Sequence, residues 1–128
     1  ALRRLAPVKL NEDIVVPPSR VPDIIAEVQE IAERHGLLIV TFGHAGDGNI
    51  HVNILIEEEE RPNALDAVKD VFAAVLRMQG SISGEHGIGL SKANYLPMEV
   101  GKHALEAMKK IKRALDPNNI LNPGKIFL

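Results

Sequence analysis

Apolar positions recur along the chain in two periods, and the switches between them mark out the elements. "EDIVVPPS" is a β-branched run stopped by Pro17 and Pro18, which predicts a strand over about residues 12–16. Val21, Ile24, Ile25, Val28, Ile31 and Ala32 then keep helical spacing, so a helix follows from about Pro22 to His35, with Ser19 as a candidate cap and Gly36 as its stop. "LLIVTFG" and "NIHVNILI" predict two more strands. The acidic run at 57–60 reads as a solvated strand exit. A second helix runs from about Pro62 to Gln79, turns Leu65, Val68, Val71, Phe72, Val75 and Leu76 to one face, and is closed by Gly80. "SISG" is a brief fourth strand. A third helix, from about Pro97 to Leu115, buries Leu105, Met108, Ile111 and Leu115, and "DPNNILNPGKIFL" ends the chain in turns and an extended tail. The order β-α-β-β-α-β is that of a ferredoxin-like α+β antiparallel sheet, here with an extra C-terminal helix.

Composition narrows the class. The 128 residues, 45% hydrophobic and 25% charged, suit one soluble domain spanning 1–128. A net charge of −2, with one Tyr, three Phe and no Trp, offers neither a phosphate-binding footprint nor base-stacking surfaces, so no nucleic-acid partner is expected. No apolar run approaches the roughly 20 residues that span a bilayer, and no signal-peptide pattern opens the chain. Without cysteine there are no disulfides, iron–sulfur clusters or thiolate zinc sites, which suits a cytoplasmic protein and leaves nitrogen and oxygen to hold any metal. The opening "ALRRLAPVKL", without an initiator Met, leads us to expect a fragment of a longer polypeptide.

The candidate chemistry sits in two glycine-rich stretches. In "GHAGDGNIHVN" (43–53), Asp47-Gly48 is a strong two-residue hairpin turn. That turn would set His44 opposite His51 and Phe42 opposite Asn53, with all four on one face. Opposite imidazoles, with Cβ atoms roughly 5 Å apart, can share one metal ion. The bland alternative is a polar hairpin whose histidines are exposed or hydrogen-bonded. In "SGEHGIG" (83–89), Glu85 is a suitable third, oxygen ligand, and His86 stays free to move a proton. Neither stretch is a Walker loop or a dinucleotide fingerprint, because the first joins strand to strand.

With both stretches noted, the chain resembles the C-terminal substrate (cap) domain of the FAD-linked 2-hydroxy-acid oxidases and dehydrogenases, within the vanillyl-alcohol-oxidase-like flavoproteins. This is the group of glycolate oxidase FAD subunits, D-lactate dehydrogenases and D-2-hydroxyglutarate dehydrogenases. "EDIVVPPSRVPD", "GHAGDGNIHVNI", "GSISGEHGIGLSK" and "LDPNNILNPGKIF" carry the likeness and span nearly the whole chain. The resemblance implies that His44, His51 and Glu85 are ligands of a divalent metal, zinc or manganese. It implies that Asn53 binds substrate, that His86 is the general base, and that Asn122 lies near the flavin ring, with Lys125 a weaker match. FAD is the implied cofactor, a small 2-hydroxy acid the substrate, and an N-terminal FAD-binding domain the missing partner. Other oxidase subunits could attach such an enzyme peripherally to the inner membrane. Arg3, Arg4 and Lys9 are candidates for the substrate carboxylate, and the chain alone is expected to be colourless and inactive.

Two rival readings stay open on the residues themselves. A non-enzymatic metal- or small-ligand-binding module of ferredoxin-like fold explains the histidines but leaves "SGEHGIG" and "LNPGK" unused. A metal-dependent hydrolase with His86 as base leaves "LNPGK" unused.

Overall fold

A computed structural model describes residues 8–44 and 46–127, with the side chain of His44 excepted. The chain falls into two compact units, one ending at Glu85 and one beginning at His86.

The first unit is built on an antiparallel sheet in the order β1-β3-β2, with β1 at Val8–Val15, β2 at Leu38–His44 and β3 at Asn49–Ile56. Strand β1 starts earlier than its β-branched run suggests, because the ladder with β3 extends to Val8 opposite Ile56 and recruits the mixed stretch before it. Two helices, α1 (Val21–His35) and α2 (Arg61–Arg77), complete the unit. Ile14, Ile50, Val52, Ile54 and Ile56 from the sheet, Ile24, Val28 and Ile31 from α1, and Val68, Val71, Phe72 and Val75 from α2 are all buried. Their periods of 2 in the strands and 3.6 in the helices put one apolar face of each element inward. Leu65 departs from expectation. It is exposed, and Ala64, Ala67 and Ala74 line the buried side of α2 instead.

The ends of the helices correct two local expectations and bear out a third. Pro18–Arg20 form a 3₁₀ turn ahead of α1, so Ser19 does not cap it, and no side chain does. Gly36 does close α1 in the left-handed region, at φ 65°. At the end of α2, however, Gln79 takes that conformation (φ 60°), not Gly80. Gly80 is small for another reason: a Cβ there would lie 2.2 Å from the Val15 carbonyl oxygen. The acidic run forms an exposed 3₁₀ turn at Glu58–Glu60, tied by the Glu57 N–H donating to the Glu60 carboxylate at 2.8 Å.

The expected fourth strand is reduced to a single bridge beside β1. Val15 and Ser81 exchange backbone bonds of 3.0 and 2.8 Å, and Gly84 N–H reaches the Asp13 carbonyl at 3.2 Å. Ser81 Oγ turns back onto the Ser83 backbone, bonding its carbonyl at 3.0 Å and its N–H at 3.1 Å, which bends the segment out of ladder geometry. The order β-α-β-β-α with this edge segment remains compatible with a ferredoxin-like α+β sheet.

His35 links the two helices. Its Nε2 lies 2.9 Å from Asp70 Oδ2 and its Nδ1 2.8 Å from Asn63 Oδ1, while Asn63 Nδ2 donates to the His35 carbonyl at 2.7 Å. That last bond fixes the Asn63 amide, so both ring nitrogens face acceptors and the imidazolium form is favoured. The Asp70 carboxylate first, and then the Asn63 carbonyl, raise the His35 pKa, against burial and the Arg34 guanidinium. A pKa raised in the folded state contributes stability that is complete below the unfolded value of about 6.5 and fades as pH rises through the folded pKa. Asp70 is 40% exposed. After discounting for solvent screening, we expect His35→Ala to cost about 1 kcal/mol at pH 5.5 and progressively less toward pH 8. Thermal melts of both proteins across that range check this, and a gap that widens with pH overturns it.

In the second unit the expected single helix is two, α3 (Leu96–Glu99) and α4 (Lys102–Leu115), separated where Val100 turns extended. No residue of α4 is buried. Leu105 and Met108 are half-buried, and Ile111 and Leu115 are 61% and 78% exposed. A helical stripe is buried only where another element is laid over it, and no described element covers this end. Asp116, which is buried, organises the segment after α4. Its carboxylate accepts the Ile120 and Leu121 N–H groups at 3.0 Å each and pairs with Lys112, whose Nζ also bonds the Leu121 carbonyl at 2.6 Å. Lys112 first, and then those two amides, hold the carboxyl below its ordinary range.

Candidate functional site

The sheet face away from the apolar core carries the candidate site. Side chains on one face are two residues apart along a strand, so Asn49, His51, Asn53 and Leu55 share this face of β3. The ladders set Asp13 opposite His51 and Asn11 opposite Asn53 on one side, and Phe42 opposite His51 and Val40 opposite Asn53 on the other.

This register corrects the expected hairpin. His44 pairs with Asn49, not His51, and four positions, 45–48, separate the strands. The turn is wider because Asp47 acts through its side chain, Oδ1 accepting the Asn49 N–H at 3.1 Å, and Gly48 (φ 74°) takes the left-handed conformation without Asp47. A shift of two residues preserves the face, so positions 44 and 51 are diagonal rather than directly opposite. The side chain of His44 lies outside the described residues. The Phe42 and His51 rings meet at 5.2 Å between centroids, tilted by 38°.

Asp13 is the residue that sequence reasoning missed. It is 2% exposed, and its Oδ1 lies 3.5 Å from His51 Nδ1. Oδ2 accepts the Glu85 N–H at 2.7 Å. Gly84 makes this approach possible, since a Cβ there would come within 2.4 Å of the carboxylate. The only sequence signal was an acid inside a β-branched strand, and its partner Glu85 is 72 positions away.

Asn53 is fully buried, and both its side-chain Nδ2 and Oδ1 lack a hydrogen-bond partner; Asn49 Oδ1 is likewise orphaned. Buried amides without partners cost about 1–3 kcal/mol each, so such a strip persists where something else repays it. Lys9 is exposed on the same face of β1. Arg3 and Arg4 lie outside the described residues. The fold therefore gathers His51, Asn53, Asp13 and the Glu85 backbone, while the Glu85 side chain is exposed. Among the described residues no group of three His, Asp or Glu side chains stands ready for a metal ion.

The second unit holds the remaining candidates. His86 is exposed at its start. Asn122, in the left-handed region at φ 47°, lines a cleft of about 430 Å³ together with Lys109, Lys112, Arg113, Lys125 and Phe127. Lys109 Nζ sits 5.9 Å from the centre of the Phe127 ring.

A three-stranded antiparallel sheet with helices on one face and a buried polar strip on the other defines an α+β domain. The family model for FAD linked oxidases, C-terminal domain, matches residues 1–126, and the chain belongs to that family. It is 42% identical over 130 residues to the glycolate oxidase subunit GlcD of Bacillus subtilis, covering 99% of this chain and 28% of that protein. It is 43% identical over 115 residues to a mitochondrial D-lactate dehydrogenase [cytochrome] of Kluyveromyces lactis, covering 90% of this chain and 20% of that protein. A D-2-hydroxyglutarate dehydrogenase of Stutzerimonas stutzeri is 42% identical over 129 residues, covering 91% and 27%. The chain thus spans between a fifth and little more than a quarter of the length of these relatives.

Proposed function

We propose that this chain is the substrate-polarising part of a flavin-dependent oxidoreductase that converts a 2-hydroxy acid to the 2-oxo acid, acting with an FAD-binding region elsewhere in the protein. The family and the relatives' names support the flavin and the substrate class. Asn53 carries the reading at the level of atoms. Its unpaired Nδ2 and Oδ1 match a carboxylate acceptor and a hydroxyl donor on neighbouring carbons, the end shared by all 2-hydroxy acids.

His51, His44 and Glu85 offer the donor types a divalent cation takes, while among the described residues no three such side chains converge. Imidazole and carboxylate, without thiolate, suit zinc or manganese. His51, His44 and Glu85 would hold it. When bound, FAD supplies the acceptor for the C2 hydrogen, and the cation supplies Lewis-acid polarisation of the substrate oxygens. The protein's own residues do the rest. Asn53 orients the carboxylate and hydroxyl, the Asp13-anchored loop presents Glu85, and a ring nitrogen of His86 accepts the hydroxyl proton. Asn122 and Lys125 are the residues we assign toward the flavin.

The test uses the complete FAD-containing protein with glycolate, D-lactate and D-2-hydroxyglutarate in turn. One of them should bleach the oxidised flavin under anaerobic conditions, chelation should abolish this, and zinc or manganese should restore it. His86→Gln should lower kcat about 10²- to 10⁴-fold, the usual contribution of a general base. Failure of every 2-hydroxy acid to reduce the flavin sinks the substrate class, and full turnover after exhaustive chelation sinks the metal.

A further inference from the structure

We propose that the apolar patch of Ile111, Leu115, Ile120 and Leu121 is the surface on which the FAD-binding region of the same polypeptide docks. Ile111 and Leu115 lie one turn apart on α4, so they share one face of that helix. They are 61% and 78% exposed, and Ile120 and Leu121 just beyond the helix are 74% and 61% exposed. Lys110 and Arg113 project from the other side of α4, so the helix is amphipathic with its apolar face in water.

The second half of the patch is built, not frayed. The buried Asp116 carboxylate accepts the Ile120 and Leu121 N–H groups at 3.0 Å each, and Lys112 Nζ donates to the Leu121 carbonyl at 2.6 Å. Those bonds fix both residues beside the last turn of α4 while their side chains stay in water. Holding large apolar side chains in water is unfavourable, and contiguous exposed patches of this kind mark interaction surfaces. Two facts choose the occupant. The relatives carry most of their length outside the segment matched here, which is only 20% to 28% of each. The patch also runs directly into Asn122, so a surface that covers it stands next to the residues assigned toward the flavin. A patch that bends from a helix onto a turn suits a shaped protein surface better than the flat boundary of a bilayer. The choice of occupant rests on the proposed function; the demand for a cover does not.

The experiment takes the complete FAD-containing protein with Leu115, or in a second preparation Ile120, replaced by the photo-crosslinker p-benzoylphenylalanine. After irradiation, peptide mass spectrometry should find the crosslinked partner in the FAD-binding region of the same chain. A crosslink to the first unit or to a second copy overturns the proposal. So does a crosslink to lipid when phosphatidylcholine–phosphatidylserine vesicles are present, and so does no crosslink at all. A milder pair of variants reads the same burial. Leu115→Cys should react with a maleimide at least about 10-fold more slowly than Lys110→Cys on the other side of the helix, because a covered site reacts only when it opens. Equal rates overturn the docking. Flavin reduction by a 2-hydroxy acid without the expected crosslink sinks the docking alone. The expected crosslink without flavin reduction sinks the proposed function and leaves the docking standing.

Discussion

Asn53→Leu is expected to make the protein more stable and about 10- to 100-fold less active. The amide is fully buried with neither side-chain atom paired, so the folded chain carries the full desolvation cost of a polar group. Leucine has almost the same branched shape and no polar atoms to desolvate. Removing the unmet demand is worth about 1–3 kcal/mol, less whatever strain the slightly larger side chain introduces. That corresponds to a melting temperature higher by about 4–20 °C for a unit of this size. Turnover should move the other way. Losing hydrogen bonds to a charged substrate costs about 1.5–3 kcal/mol, or about 10- to 100-fold in kcat/KM. Thermal melts and steady-state kinetics on the complete FAD-containing protein check both halves. A destabilised variant shows that the amide has partners in the folded protein, and unchanged kcat/KM shows that it does not face the substrate.

Gly84→Ala is expected to lose both stability and activity. Its Cβ would stand 2.4 Å from Asp13 Oδ2 and 2.6 Å from Oδ1 and Cγ. Asp13 cannot swing aside, because it is buried within a strand paired along its whole length with β3. The segment must lift instead, which breaks the 2.7 Å bond from the Glu85 N–H. Overpacking together with a carboxylate deprived of a donor should cost about 2–4 kcal/mol in denaturant unfolding. Because Glu85 loses its anchor in the same step, Zn²⁺ affinity should fall with stability. Near-normal unfolding of this variant means that Asp13 and the 81–85 segment are not locked together.

The two variants probe opposite kinds of residue. Asn53 sits in the fold with both of its buried side-chain polar atoms unpaired. Gly84 is required by the fold because the Asp13 carboxylate occupies the space a side chain there would need.

Much of this was legible from the chain alone where local pattern and global packing agree. Ile24, Val28 and Ile31 are buried at helical spacing as expected, and Ile50, Val52, Ile54 and Ile56 are buried at strand spacing. The shared face of His51 and Asn53 was also legible, and it survived a wrong turn. Reading Asp47-Gly48 as a two-residue loop displaced the register by two, and a period of 2 forgives even errors while an odd one would have reversed every side chain. Helix α4 shows the limit. Its stripe was regular, yet Ile111 and Leu115 are exposed, because periodicity reports which face can be buried and not whether anything covers it.

Sequence by itself determined the β-α-β-β-α order of the first unit, the apolar faces of α1 and β3, the absence of thiolate chemistry, and the residues His51, Asn53 and Glu85 as candidates. Tertiary structure alone decided that Asp13 faces His51, that Gly84 exists to admit its carboxylate, and that Asn53 is left without partners. The reason is reach. Periodicity and turn chemistry act over a few residues, whereas the contacts that define the site join strands and loops up to 72 positions apart, and only the assembled sheet sets which side chains meet across them.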